Sequence, residues 1–254
     1  MTRLPPLFLP LLTEPALFNI FSHLIYIFHS TFTFQSKGGE ALVLCDFYRN
    51  FAGMNHDIDH NTDEVNVCVF AASSSRIDEQ YVHAAYELGR LIAVNGWTCV
   101  NGAGSQGLMR AVSDGALDAG GNAIGVIPKF MVDNNWHYDR LTSMIITPDM
   151  HERKQTLADM AQAVVALPGG CGTLEELLEM LTWRQLHLVS FPIIVLNTGG
   201  FYDPLIEMVT RCIDRGFMKP SHHNLWHIAS TPQQVIEYIQ HALSNGVEPA
   251  ESKY

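Results

Sequence analysis

From Val65 onward the chain alternates short runs of apolar, β-branched residues with longer stretches whose apolar positions recur at helical spacing. The runs are "VNVCVFAA" (65–72), "WTCVN" (97–101), "NAIGVIP" (122–128), "SMIIT" (143–147), "AVVALP" (163–168) and "PIIVLN" (192–197). Each is nearly continuous in apolar character, as a strand covered on both faces must be; a strand with one wet face would alternate. Between them, "DEQYVHAAYELGRLIAVNG" sets Val82, Ala85, Tyr86, Leu88 and Ile92 on one stripe and ends at Asn95-Gly96, a helix stop. "TPQQ" at 231–234 offers a threonine cap, proline at the first helical position and glutamine at the third, and so opens the last helix. Strands alternating with helices predict an α/β protein with a doubly wound parallel sheet and helices on both faces. No internal repeat is visible, and no linker splits residues 65–244.

The pattern changes upstream. Residues 1–36 are apolar, aromatic and broken by proline, with Arg3 as the only basic residue. Asn19, Ser22 and His23 interrupt the apolar stretch below the ~20 residues of a spanning helix, and a signal peptide would need a basic start and a small-residue exit. A polar stretch, "GMNHDIDHNTDEVNV", then leads into the first strand. The expected organisation is an N-terminal extension over residues 1–53, an added tail or upstream translation, with Met54 as the functional start of a single domain over residues 54–254.

Charge narrows the function classes. Fifteen Lys and Arg against 26 Asp and Glu give a net charge of -11, which disfavours adhesion to nucleic acid or to an acidic membrane surface. Any phosphate must therefore be held by a local site. The five cysteines, Cys45, Cys68, Cys99, Cys171 and Cys212, lack CxxC spacing and read as reduced thiols of a cytoplasmic protein. Twelve histidines form no HExxH, so no metal is expected.

In open α/β sheets, ligands bind beyond the carboxyl ends of the strands. Three loops match that position: "ASSS" with Ser74, "NGAGSQG" with Gly104, and "PGGCGT" after the fifth strand. All are small and rich in backbone N–H, as a phosphate and sugar pocket requires. "NGAGSQG" is formally a dinucleotide fingerprint, Gly102-x-Gly104-x-x-Gly107, but the ribose-holding acid ~20 residues on is replaced by "IGVIPKF". The same glycines also suit a plain strand-to-helix turn. "PGGCGTLEE" is more specific: Gly169, Gly170 and Gly172 let backbone N–H groups face an anion, Thr173 caps the helix or bonds a phosphate oxygen, and the helix dipole adds positive charge. No lysine follows, so it is not a Walker A loop, and a monophosphate suits it best.

Spacing leaves Glu176 open between two readings. Three residues after Thr173, it fits a capping box; with Glu175 and Glu179 it also lies off the face of Leu174, Leu177, Leu178 and Leu181, as on a solvated surface. In "DMHERKQTLADM", Arg153 and Lys154 sit one turn inside the preceding helix, either on a solvated face or, since a guanidinium grips phosphate bidentately, in the pocket.

"MHERK" (150–154) followed by "PGGCGTLEE" (168–176), with "SSS" at 73–75, "GLM" at 107–109 and "GVIP" at 125–128, resembles the LONELY GUY family over residues 65–240. That family comprises the cytokinin riboside 5'-monophosphate phosphoribohydrolases. It is often labelled lysine decarboxylase, although no lysine site for a pyridoxal cofactor is evident here. The resemblance implies a Rossmann-like, cofactor-independent hydrolase that cleaves the N-glycosidic bond of a nucleoside 5'-monophosphate into free base and ribose 5-phosphate. It implies Arg153 and Glu176 as the catalytic pair, with Gly169, Gly170, Gly172 and Thr173 on the phosphate, and Ser74, Gly104, Lys154 and Glu175 around the substrate.

Loss of the base leaves an oxocarbenium-like sugar, which an ionised Glu176 stabilises and to which it directs water; Arg153 would keep that carboxylate ionised. The family usually has glycine where Ala103 stands and an aromatic where Cys171 stands, so adenine and N6-prenylated adenine both remain candidate bases. The resemblance implies a homo-oligomer, a homodimer or a larger assembly, with the dimer expected, and the helix face around Trp183 and Leu186 is a candidate contact. The alternatives are a monophosphate sensor without turnover and an NAD-dependent oxidoreductase.

Overall fold

A computed structural model describes residues 65–247. The expected extension over residues 1–53 and the start at Met54 lie outside the described residues. All six apolar runs form strands: β1 (Asn66–Phe70), β2 (Thr98–Asn101), β3 (Ala123–Pro128), β4 (Ser143–Thr147), β5 (Ala163–Ala166) and β6 (Ile193–Leu196). A seventh, β7 (His227–Ala229), closes one edge. It escaped the sequence reading because three residues beginning with histidine carry no periodicity.

The sheet is seven-stranded with order β4-β3-β2-β1-β5-β6-β7. Every ladder within it is parallel. The order reverses between β1 and β5, which opens a crevice at their carboxyl ends.

The connecting helices are α1 (Glu79–Val94), α2 (Gly107–Asp118), the short α3 (Lys129–Asp133), α4 (Met150–Met160), α5 (Cys171–Gln185), α6 (Asp203–Asp214) and α7 (Pro232–Asn245). Alternate strand residues feed two cores. Val67, Val69 and Val165 join Leu88, Val112 and Ile239 on one face. Cys68, Phe70 and Val164 join Leu157, Leu177 and Met180 on the other. Continuous apolar runs are thus explained by burial on both sides. Among the described residues, no helix is long and apolar enough to cross a membrane.

Helix ends follow the local signals. α1 stops at Asn95, with Gly96 at φ 74. At α7, Thr231 accepts a hydrogen bond from the Gln234 N–H, and the Gln234 side chain returns one from the Ser230 N–H rather than from Thr231 itself. The stripe expected on α1 is shifted: Val82 is exposed and Tyr86 half-buried, whereas Ala84 and Gly89 are buried. The cause is close helix packing. A Cβ on Gly89 would stand 1.9 Å from the Val112 carbonyl oxygen, and one on Gly115 equally close to that of Tyr86, so α1 and α2 touch backbone to backbone.

That contact decides a substitution. Gly89→Ala gains about 1 kcal/mol of helix propensity but forces a methyl into a backbone oxygen, and overpacking costs about 1–3 kcal/mol. A backbone atom cannot swing aside, so the upper end applies and the urea midpoint should fall. An unchanged or higher midpoint would mean the two helices are not in backbone contact.

Candidate active site

The carboxyl ends of β1, β2, β3 and β5 bring the sequence motifs together. α4 begins where Asp149 accepts hydrogen bonds from the N–H groups of His151 (2.8 Å) and Glu152 (2.9 Å), which hold its carboxyl below the usual carboxylate range. One turn further in, Arg153 points inward, only 5% exposed. Its Nε donates to the Val126 carbonyl at 3.0 Å and its Nη1 to Glu176 Oε1 at 2.6 Å. A buried charge pair of this kind is held by position and by hydrogen bonds at both ends.

α5 starts earlier than a capping box at Thr173 requires. Its N-cap is Gly170, so Thr173 is the third residue of the helix and Glu176 lies well inside it. The capping-box and solvated-surface readings of Glu176 are therefore both overturned: it is 8% exposed, and its partner is Arg153. Burial pushes its carboxyl up from the ordinary value of 4.5, while the neighbouring Arg153 charge and hydrogen bond pull it back without cancelling the rise. The expected role of Arg153 in favouring ionisation holds in direction, but burial outweighs it.

Gly102 has a reason that its place in the fingerprint did not show. A Cβ there would sit 1.9 Å from Arg153 Nη2, so the end of β2 must be bare for the guanidinium to reach Glu176. Beside it, Ala103 takes φ 61, the left-handed region that favours the glycine usual in the family. The loop is pinned from outside by backbone hydrogen bonds from Ser105 to Trp136 and from Tyr138 to Ala103.

The glycine loop faces the crevice. A cleft of about 320 Å³ lies between the β1 and β5 loops, lined by Ser74, Arg76, Tyr81, Gly169, Gly170 and Phe201 among others. That size is at the lower end for small-molecule clefts, roughly 300–1,000 Å³. A Cβ on Gly170 or Gly172 would meet nothing within 4 Å, so their bareness serves the open side of the loop rather than packing. Thr173 is buried, with its side chain tucked beneath Gly169.

The remaining expected residues stand further out. Lys154 donates to Glu175 at 2.5 Å and to Glu179 at 3.1 Å, so it is paired across α4 and α5. Gly104 lies over Met109 on the β2 side and does not line the cleft. The sequence reading missed Arg76, Tyr81 and Phe201. Arg76 directly follows the small-residue loop after β1, which was the available signal; Phe201 comes from beyond β6 and had none. Among the described residues, no group of His, Cys, Asp and Glu is placed to hold a metal ion.

A doubly wound parallel sheet with a bare glycine loop at its switch point and a buried Arg–Glu pair along the helix that follows defines a Rossmann-like protein. A family model described as "Possible lysine decarboxylase" matches residues 109–239. A probable cytokinin riboside 5'-monophosphate phosphoribohydrolase of Oryza sativa subsp. japonica is 38% identical over 174 residues, 68% of this chain and 71% of its own. A cytokinin riboside 5'-monophosphate phosphoribohydrolase of Arabidopsis thaliana is 37% identical, with 68% of this chain and 76% of its own covered. Among solved structures, the Moco carrier protein from Chlamydomonas reinhardtii is similar with a TM-score of 0.55 and 26% identity, over 71% of this chain and 98% of its own. The chain belongs to the LONELY GUY family.

The buried pair makes a linked prediction. Arg153→Met strands the Glu176 carboxylate and should cost about 3–5 kcal/mol at neutral pH. Without the guanidinium the Glu176 carboxyl rises further above 4.5. The folded state then binds more protons than the unfolded, so stability falls as pH rises through that window and recovers below it. Urea midpoints of the wild type and the variant should diverge above the window and converge toward pH 4.5. A gap independent of pH would mean Glu176 is not the stranded charge.

Proposed function

We propose that the protein hydrolyses the N-glycosidic bond of an adenine or N6-modified adenine nucleoside 5'-monophosphate, releasing the base and ribose 5-phosphate. The observation that carries this reading is the buried Arg153–Glu176 pair set along the helix whose bare glycine end opens on the cleft. Glu176 is six residues beyond Gly170, roughly 9 Å along the helix axis. A nucleotide has five bonds between phosphorus and C1', so the sugar and the reach of the Glu176 side chain share that distance. With the 5'-phosphate at the N–H groups of Gly170 and Gly172, the anomeric carbon comes to Glu176.

The chemistry follows from charge. As the C1'–N bond breaks, its electron pair leaves with the base, which takes a proton, and the sugar becomes cationic. The Glu176 carboxylate stabilises that charge and accepts the proton of the water that adds to C1'. Burial raises its proton affinity enough to make it a better base, while Arg153 fixes its orientation. The names of the curated relatives support the same reaction. A second reading, monophosphate binding without turnover, draws on the fold shared with a carrier protein.

The setting is the cytoplasm, in keeping with the free thiols of Cys68, Cys99, Cys171 and Cys212. The assembly is a homodimer, in keeping with Leu178 exposed on α5 and Leu186 exposed at its C-terminal end, beside half-buried Trp183.

Incubation with AMP and with isopentenyladenosine 5'-monophosphate, scored by chromatography, should show free base. Glu176→Gln should lower kcat by about 10²–10⁴-fold. Since the carboxylate is the active form, kcat/KM should fall on the acid side along a limb lying above 4.5, and Arg153→Gln should move that limb higher still. Saturable AMP binding without base release would establish the binding reading instead. Light scattering should give twice the chain mass, with Leu178→Glu reducing it; a monomeric wild type would remove the dimer.

A further inference from the structure

Among the described residues, the site has one cation without a side-chain partner. Arg153 is taken by Glu176, and Lys154 by Glu175 and Glu179. Arg76, which lines the cleft opposite Gly169 and Gly170, makes no side-chain hydrogen bond or ion pair among the described residues, and its side chain is exposed. Asp78, the acid among the cleft residues, does not pair with it. Its backbone is nevertheless fixed, because the Arg76 N–H donates to Ser74 Oγ at 3.2 Å. That bond uses the serine oxygen as acceptor and leaves its own proton free to donate into the cleft.

We propose that Arg76 is the substrate-binding residue that grips the 5'-phosphate across the cleft from the Gly169–Gly170 loop, and so makes the site select nucleotides over nucleosides. The proposal deepens the hydrolase reading and rests on the same phosphate position. A helix N-terminus offers only partial positive charge, and the chain as a whole carries -11. A phosphate dianion entering so acidic a protein needs a full local countercharge. A guanidinium supplies it with two parallel N–H donors matched to two phosphate oxygens. The Ser74 hydroxyl donates to the third oxygen, and the Arg76–Ser74 turn keeps both groups in one place. Arg76 acts on ground-state and transition-state binding alike, because the phosphate does not change charge in the reaction.

The test is calorimetric titration of the full chain with AMP and with adenosine, for wild type, Arg76→Ala and Arg76→Lys, alongside base-release kinetics. An exposed side chain is replaced, so the fold should be unaffected, and the urea midpoint verifies this. Arg76→Ala should weaken AMP binding by roughly 10- to 100-fold and leave adenosine binding unchanged, with Arg76→Lys in between. In turnover the loss should appear in KM, with kcat nearly constant. An AMP affinity within twofold of wild type, an equal loss for adenosine, or a wild type that does not bind AMP would overturn the proposal. Arg76-dependent AMP binding without base release in the wild type would overturn the hydrolase reading and leave the role of Arg76 standing.

Discussion

The Arg153–Glu176 pair is the constraint around which the site end of the molecule is arranged. Taking a guanidinium and a carboxylate out of water costs several kcal/mol per ion, and only close contact with further hydrogen bonds offsets it. Those requirements appear as backbone: the Val126 carbonyl receives Arg153 Nε, and Gly102 is bare where Nη2 passes. A pair of apolar side chains would fill the same space at less cost. Buried ion pairs contribute little net stabilisation, so stability alone does not account for a charge pair there.

The sheet places the two halves of the site on different elements. The switch between β1 and β5 leaves a crevice with the small-residue loop of β1 on one side and the glycine loop of β5 on the other. α4 and α5 pack on one face, so a side chain one turn into α4 meets one well inside α5. In the proposed reaction, anchoring falls to the helix end and its rim, and the chemistry to the helix interior. The separation between them is a property of helical rise.

Fold and site carry different information. The chain is similar in fold to a Moco carrier protein and similar in sequence to curated phosphoribohydrolases. Function follows the groups mounted on the scaffold, and here these are bare glycines and an exposed arginine at the crevice, with an Arg–Glu pair buried beside it.

The apolar runs of β1 to β6, the stop at Asn95-Gly96 and the cap at Thr231 were legible because burial on both faces, left-handed turns and capping are set by neighbours in the chain. The loops that line the cleft at Ser74 and at Gly169–Gly170 were legible for the same reason, since small residues at strand ends mark turns. The family motifs marked Arg153 and Glu176, but spacing alone could not separate a capping box from a buried pair. That depended on α5 starting at Gly170 rather than at Thr173, and on which face of α4 meets it. The space that Gly102 leaves, the pairing of Lys154 and the place of Arg76 on the cleft were likewise decided by tertiary structure. Each depends on atoms that distant segments bring within a few ångströms, and a linear pattern does not contain those distances.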